Sequence, residues 1–335
     1  MPSAVLIVGG AGYIGSHAVR HLADAGECVI VLDNLSQGHR EAIISPSVKF
    51  IVGDMADAAL VQDIFEGHHI DAVMHFAAYA LVGESVIEPL RYYSNNVAAP
   101  LVLLEAMRRH GCRSFIFSST AATYGNPVST PMSEEHPQQP INPYGASKLM
   151  LERVLKDCEP AWGLRNVCLR YFNAAGASLD GAIGEDHFPE THLIPRVLMA
   201  VTGEIETLSV FGADYPTSDG TCIRDYIHVL DLAEAHARAL RHLRDGGPSL
   251  QCNLGTGRGH SVQEIIDIAS QVTGKKVPVE FGPRRPGDPS SLVAEPALAR
   301  AALGWRAQYD DPRAMVETAW RWLTGHQGGR YPTAR

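Results

Sequence analysis

Tyr144 and Lys148 are separated by three residues within a stretch, 144–158, whose pattern predicts a helix. Residues four apart share one helical face, so the phenol and the ammonium would be neighbours. A nearby ammonium favours the phenolate and lowers the tyrosine pKa from its usual value of about 10. The pair therefore predicts a general base able to remove a proton from a hydroxyl group, with an ordinary surface pairing as the alternative.

Thr120 closes the run Ser118-Ser119-Thr120 at the end of a predicted strand. A hydroxyl group at a strand end can polarise the same substrate oxygen whose proton Tyr144 removes. It can equally satisfy backbone groups of its own turn. We expect Thr120 to act with Tyr144, and the structural role stays open at this level.

Gly9, Gly12 and Gly15 form a glycine-rich turn between a predicted strand, 4–8, and a predicted helix, 14–25. Backbone N–H groups and a helix N-terminus must approach closely to hold a pyrophosphate, and a Cβ atom would obstruct that approach. Glycines at this spacing alone can be just a tight turn. Their place after the first strand favours a dinucleotide site.

Asp33 ends the second predicted strand, eighteen positions after Gly15. That distance is typical of the acid that binds an adenosine ribose. Its charge would repel a 2′-phosphate, and the following Asn34-Leu35-Ser36 offers no arginine, so NAD is favoured over NADP. Asp54, after the third strand, could hold the adenine edge. Both acids could also be simple turn residues.

These groups need a framework that brings strand ends together. The predicted strands are residues 4–8, 28–32, 49–52, 72–76, 115–118 and 167–171, and the predicted helices include 14–25, 100–109, 144–158 and 229–243. Alternating strands and helices indicate an α/β, Rossmann-type doubly wound parallel sheet. We predict an NAD-binding domain over 1–175. Residues 176–335, rich in glycine, proline and histidine, are predicted to form mainly a smaller substrate lobe, with some chain crossing back.

Composition excludes several classes of function. The chain has 335 residues, 45% hydrophobic, and a net charge of −9 from 28 basic and 37 acidic residues without a basic run. Nucleic-acid and membrane-surface partners are therefore disfavoured, and no apolar run reaches the roughly 20 residues of a membrane span. Six cysteines without CxxC spacing and 15 histidines without HExxH spacing predict a cytoplasmic protein with reduced thiols and no metal.

Taken together, the motifs resemble the extended short-chain dehydrogenase/reductase family, and within it the UDP-galactose (UDP-glucose) 4-epimerases. The resemblance runs from about residue 4 to residue 322. It is carried by the stretches Gly9–His17, Asp33–Leu35, His75–Ala78, Val82–Ser85, Tyr92–Val97, Ser118–Thr120, Tyr144–Lys148, Arg170–Asn173, Asp219–Thr221 and Arg224–His228.

The resemblance implies roles for individual residues. It implies that Tyr144, Lys148 and Thr120 are catalytic. Those implied to bind NAD are Gly9, Gly12, Tyr13, Ile14, Gly15, Asp33, Asn34, Leu35, Ser36, Asp54, Met55, Phe76, Ala77, Ala78, Asn95, Thr120, Tyr144, Lys148 and Phe172. Those implied to bind the UDP-sugar are Asn173, His192, Leu193, Phe211, Arg224, Arg285, Asp288 and Leu292. A homodimer is usual in the family.

The expected reaction is NAD-dependent 4-epimerisation of a UDP-sugar through a 4-keto intermediate, with UDP-galactose and UDP-glucose as the pair. Related 4,6-dehydratases carry an acidic pair where this chain has Ala121-Ala122, which cannot transfer protons. Leu292 stands where the family limits the sugar's 2-substituent, which implies partial activity on UDP-N-acetylhexosamines. Alternatives are a UDP-arabinose/UDP-xylose 4-epimerase, a net UDP-sugar dehydrogenase and a non-catalytic NAD-binding redox sensor.

Overall fold

A parallel sheet of seven strands lies at the centre of the computed structural model, which describes residues 3–285, 288–325 and 328–332. The strands are β1 Ala4–Val8, β2 Val29–Asp33, β3 Lys49–Val52, β4 Ile70–His75, β5 Ser114–Thr120, β6 Arg165–Tyr171, β7 Asn173–Ala175, β8 Leu208–Phe211, β9 Ile223–Arg224, β10 Tyr226–His228, β11 Leu250–Leu254, β12 His260–Ser261, β13 Val279–Gly282 and β14 Ser291–Leu292.

Eleven α-helices are found in the described residues. They are α1 Tyr13–Asp24, α2 Ala58–Gly67, α3 Val82–Ile87, α4 Pro89–Tyr93, α5 Ala99–His110, α6 Pro143–Trp162, α7 Leu193–Thr202, α8 Val229–Arg244, α9 Val262–Thr273, α10 Ala297–Leu303 and α11 Pro312–Thr324. A π-helical turn, Ser94–Ala98, joins α4 to α5.

The strand order in the main sheet is β11-β6-β5-β4-β1-β2-β3, and every pair is parallel. All five residues of β1 and of β2 are buried. A parallel sheet covered by helices on both faces requires such continuous apolar runs. The predicted Rossmann-type fold is confirmed.

Two apolar cores cover the two faces of this sheet. One contains side chains of α2, α5 and α6, among them Phe65, Leu103 and Leu155. The other contains side chains of α1 and α8, such as Leu22 and Leu240. Helix α6, which carries the predicted tyrosine and lysine, is therefore fixed to the sheet along its buried face.

Most of the chain beyond residue 175 forms a second, smaller layer. Helices α7, α9 and α11 share a third core with β8 and β10. Three small sheets lie here, β10-β7, β12-β9-β14 and β13-β8. Three elements of this stretch return to the main sheet, since β11 pairs with β6 and helices α8 and α10 pack in the second core.

Candidate active site

A cleft of about 1430 Å³ opens at the carboxyl ends of the main-sheet strands. Between β4 and β1 the strand order reverses direction, because β2 and β3 extend to one side and β5 and β6 to the other. In open α/β sheets the crevice at such a switch point is where ligands bind. Residues of the second layer close the opposite wall.

Most of the predicted residues meet in this one cleft. Those lining it are Gly9, Gly12, Tyr13, Ile14, Gly15, Asp33, Asn34, Ser36, Asp54, Met55, Phe76, Ala77, Ala78, Asn95, Thr120, Tyr144, Lys148, Phe172, Asn173, His192, Arg224, Arg285, Asp288 and Leu292. Leu193 and Phe211 line an adjoining cavity of about 210 Å³ instead. Leu35 lines neither of them, and its backbone lies in the left-handed region at φ 57°.

The three glycines of the first turn answer different needs. A Cβ atom at Gly9 would collide with the backbone of Ala77, and one at Gly15 would collide with the Gly9 carbonyl. Close packing therefore explains both. A Cβ atom at Gly12 would meet only the Gly9 oxygen, at 3.5 Å, so the protein itself has room for a side chain there.

Gly12 is the N-cap of α1, and no side chain caps that helix end. The unpaired N–H groups of a helix N-terminus attract a phosphate, and a methyl group at Gly12 would stand in its way. A bound phosphate, and not packing within the protein, thus accounts for glycine at position 12. The residues present fit the diphosphate of a dinucleotide.

Asp33 organises this turn through backbone hydrogen bonds. Its Oδ2 accepts from the Ala11 N–H and its Oδ1 from the Leu35 N–H, both at 2.8 Å. Burial raises the pKa of Asp33. Asp33 therefore does stabilise the turn, which was the alternative considered from the sequence. Its binding of an adenosine ribose stays a prediction. Beside it, the Asn34 amide donates to Asp54 Oδ2 at 2.8 Å.

Helix α6 positions the reacting pair as predicted. Asn142 caps it by accepting from the Gly145 N–H at 2.8 Å, and Pro143 occupies the first turn. Lys148 is buried, and its Nζ donates to the Ser118 carbonyl at 2.8 Å. Burial lowers the pKa of Lys148 to about 7.

The pKa of Tyr144 differs from the expectation. Burial raises it, and the hydrogen bond with Thr120 opposes that rise. The net shift is therefore upward and not downward as expected, because burial outweighs the neighbouring groups and the Lys148 Nζ is directed at the Ser118 carbonyl. Thr120 Oγ1 also accepts from the Ala122 N–H at 3.1 Å, so its structural role is present too.

A buried ionic network lies next to the segments that carry Thr120, Tyr144 and Lys148. Arg170 Nη2 donates to Glu152 Oε2 at 2.6 Å, and both side chains are 5% exposed. Ser119 donates to the same carboxylate, and Arg170 also donates to the Tyr124 hydroxyl. This network connects β5, β6 and α6, and breaking one member would leave a buried charge unpaired.

The opposite wall supplies cationic side chains. Arg224 pairs with Asp288 and donates to the Ile223 carbonyl. The Arg285 guanidinium lies 3.9 Å from the centroid of the Phe211 ring. Leu292 on β14 is in register with Arg224 on β9. The bidentate arginine fork suits a diphosphate.

Several residues of the cleft wall had no predicted role, among them Tyr79, Tyr171, Glu185 and His187. Tyr171 lies inside a stretch that carries the resemblance, and Tyr79 follows another. Glu185 and His187 approach Glu190 and His192 in one cluster. The alternation of glutamate and histidine over 185–192 could have indicated this cluster from the sequence, but its spacing differs from HExxH.

A glycine turn, a tyrosine and lysine on one helix, and a facing pair of arginines are typical of an enzyme that uses a dinucleotide to act on an anionic substrate. The chain belongs to the NAD dependent epimerase/dehydratase family, whose model matches residues 5–255. It is 53% identical over 326 residues to the UDP-glucose 4-epimerase of Halalkalibacterium halodurans, which covers 97% of each protein.

Solved structures agree with this assignment. UDP-glucose 4-epimerase from Bifidobacterium longum in complex with NAD+ and UDP superposes with a TM-score of 0.92 at 40% identity, covering 98% of this chain and 100% of that one. The UDP-Glc/GlcNAc 4-epimerase of Campylobacter jejuni has a TM-score of 0.85 at 43% identity, with coverage of 96% and 99%. The family membership expected from the motifs is confirmed.

Proposed function

We propose that this chain catalyses the NAD-dependent 4-epimerisation of UDP-sugars, with UDP-galactose and UDP-glucose as its pair. The observation that carries the proposal is the single cleft at the sheet's switch point. It joins the glycine turn, the Tyr144–Thr120–Lys148 group and the two arginines Arg224 and Arg285. The relatives named as UDP-glucose 4-epimerases support the same reaction. The pentose-epimerase and redox-sensor alternatives are not favoured.

NAD fits the end of the cleft formed by the glycine turn, Asp33, Asn34 and the segment Phe76–Ala78. When bound, it supplies reversible hydride acceptance from C4 of the sugar. We assign residues 1–175 to holding it. Residues 176–335 mainly hold the UDP-sugar, apart from β11, which belongs to the main sheet, and helices α8 and α10, which pack against it.

The protein's own groups handle the proton. Tyr144, as phenolate, removes the proton of the 4-hydroxyl, while Thr120 donates a hydrogen bond to the same oxygen. Because burial raises the pKa of Tyr144, the phenolate needs a positive charge beside it once the cleft is filled. Lys148, one helical turn away, is the protein cation closest to this task. After the ketosugar has turned over, Tyr144 returns the proton to the oxygen on C4, so that the 4-hydroxyl is restored with the opposite configuration.

The sugar must turn between the two halves of the reaction. Arg224 and Arg285 hold the diphosphate, so the nucleotide stays fixed while the hexose is bound weakly. The wall near Tyr144 contains Ala121 and Ala122, which have no proton to give. Elimination of water from the ketosugar is therefore not catalysed.

Product analysis without added NAD tests the proposal. Purified protein is incubated with UDP-galactose and, separately, with UDP-arabinopyranose, and the sugars are separated by chromatography. We expect UDP-glucose from the first and little product from the second. Dinucleotide is expected in the supernatant of denatured protein. Turnover only with continuous NAD supply would indicate a dehydrogenase, and faster pentose turnover would indicate the pentose epimerase.

We further propose a cytoplasmic homodimer. All six cysteines are free, as in reducing compartments. On the sheet face covered by α5 and α6, Leu101 and Met150 remain 44% and 46% exposed, which supports a second chain packing there. No helix within the described ranges has the length and apolar character to cross a membrane. Light scattering of wild type and Leu101→Glu tests the dimer, which the charge should dissociate.

A further inference from the structure

Four potential metal ligands converge in the segment before α7. Glu185, His187, Glu190 and His192, here the His/Glu cluster, each offer one ligand atom, and these atoms all lie within 4.8 Å of one another. The cluster lies where the wall of the cleft meets the second layer, since Glu185, His187 and His192 line the cleft. None of the catalytic steps derived above uses it as a group.

The Glu185 carboxylate provides an independent observation. Its side chain is 6% exposed, and its Oε1 lies 2.7 Å from His192 Nδ1 and 3.0 Å from His187 Nδ1. Neither ring N–H is directed at that oxygen, which is left buried without a hydrogen-bond partner. An unsatisfied buried carboxylate oxygen is costly. Its surroundings point to a cation that the two rings share with it.

Glu190 completes the cluster from the same segment. Its Oε1 accepts the N–H groups of Thr191 and His192, which fixes the carboxylate in place. That oxygen lies 3.2 Å from His192 Nδ1, and Oε2 lies 3.9 Å from His187 Nδ1. Ligands at about 2.0–2.2 Å around a tetrahedral zinc ion are roughly 3.4 Å apart. The four groups bracket this spacing.

We propose that the His/Glu cluster binds a divalent transition-metal ion, with Zn²⁺ as the best match. Two imidazole nitrogens and two carboxylates are ligands that zinc accepts in four-coordinate sites. The ion would tie His192, which stands at the N-cap position of α7, to Glu185 and so fix this part of the cleft wall. The proposal departs from the sequence-based expectation of no metal, which rested on the absence of CxxC and HExxH spacings.

Direct metal binding tests the proposal without any turnover assay. Full-length protein is freed of metal with a chelator, dialysed and titrated with ZnCl₂ by calorimetry. We expect about one Zn²⁺ per chain. His187→Ala and Glu185→Gln each alter a proposed ligand and should weaken zinc binding by about ten-fold or more. Replacing a residue that only hydrogen-bonds to a metal ligand already lowers metal affinity by roughly ten-fold, so a ligand itself should matter at least as much. Co²⁺ added to wild type should give the visible bands of a four-coordinate site.

His260→Ala is the matched control, because His260 also pairs with a glutamate, Glu264 at 2.8 Å, outside the cluster. It should bind zinc as wild type does. Absence of stoichiometric Zn²⁺ binding and of Co²⁺ bands in wild type would overturn the proposal and leave the cluster as an ion-pair network. Equal affinity in wild type and both cluster variants would also overturn it. Failure of the epimerase assay alone would not.

Discussion

The two ends of the cleft are built differently. At the nucleotide end, the wall comes from short segments that directly follow β1, β2, β3 and β4, and several of its residues are glycines. At the sugar end, the wall is made of side chains from separate segments around Asn173, His192, Arg224, Arg285 and Leu292. The first end is fixed by the main sheet, and the second by small two- and three-stranded sheets.

This difference corresponds to two tasks. At the nucleotide end, close packing around Gly9 and Gly15 leaves no room for a side chain at either position. The arginines of the sugar end are held by a pair with Asp288 and by a ring contact with Phe211, both of which can give way to an anionic ligand. A rigid cofactor site beside an adaptable sugar site is what a reaction with a fixed cofactor and a turning sugar requires.

The largest expected effect lies where the two ends meet. Replacing Tyr144 with Phe removes the general base and should lower kcat by about 10² or more. UDP binding, measured by calorimetry, should persist because the arginines of the sugar end are untouched. Tyr93→Phe on α4 serves as the control and should leave kcat unchanged. Near-normal turnover in Tyr144→Phe would contradict the mechanism.

Lys148→Ala tests whether the nucleotide end also controls the proton. We expect kcat to fall more than ten-fold. Loss of the cation should raise the pKa of Tyr144 further, so the ascending limb of the pH–kcat profile should move to higher pH. Lys156→Ala, an exposed lysine of the same helix, is the control. If the ascending limb of the pH–kcat profile does not move and the purified variant contains no dinucleotide, Lys148 acts only by holding the cofactor.

Gly12→Ala tests whether the glycine at this position is required by a bound ligand or by packing within the protein. Because a Cβ atom there meets only the Gly9 oxygen at 3.5 Å, the free energy of unfolding should fall by no more than about 1 kcal/mol, the typical cost of alanine at an N-cap. Dinucleotide affinity should fall about ten-fold, as measured by release on denaturation and by titration. Gly15→Ala should instead destabilise the fold. Unchanged affinity in Gly12→Ala would argue against a diphosphate at α1.

At the sugar end, Leu292→Tyr should narrow the range of substrates. Overpacking of a confined wall costs about 1–3 kcal/mol, and this cost should fall mainly on the larger UDP-N-acetylgalactosamine, a discrimination of roughly ten-fold. Leu292→Met keeps the volume and is the control. The ratio of kcat/KM for the two sugars gives the answer. An equal decrease of kcat/KM for both sugars, or no wild-type activity on the N-acetyl sugar, would show that Leu292 does not limit the size of the sugar's 2-substituent.

Much of the main sheet could be predicted from local patterns. β1 and β3 begin and end where expected, and α8 differs from its predicted range by one residue. Continuous apolar runs and helical periodicity depend only on neighbouring residues, so they can be read from the chain. The Tyr144–Lys148 pair was predictable for the same reason, because a helix determines which residues share a face.

The amino-acid sequence by itself determined the Rossmann-type sheet, the glycine turn and the helix that carries Tyr144 and Lys148. Only the tertiary structure decided the direction of the Tyr144 pKa, since desolvation depends on what packs around the phenol and Lys148 found another partner. It also decided that Leu292 faces Arg224 and that the Glu185 carboxylate is buried between two imidazoles. These properties come from contacts between distant segments, which spacing along the chain does not encode.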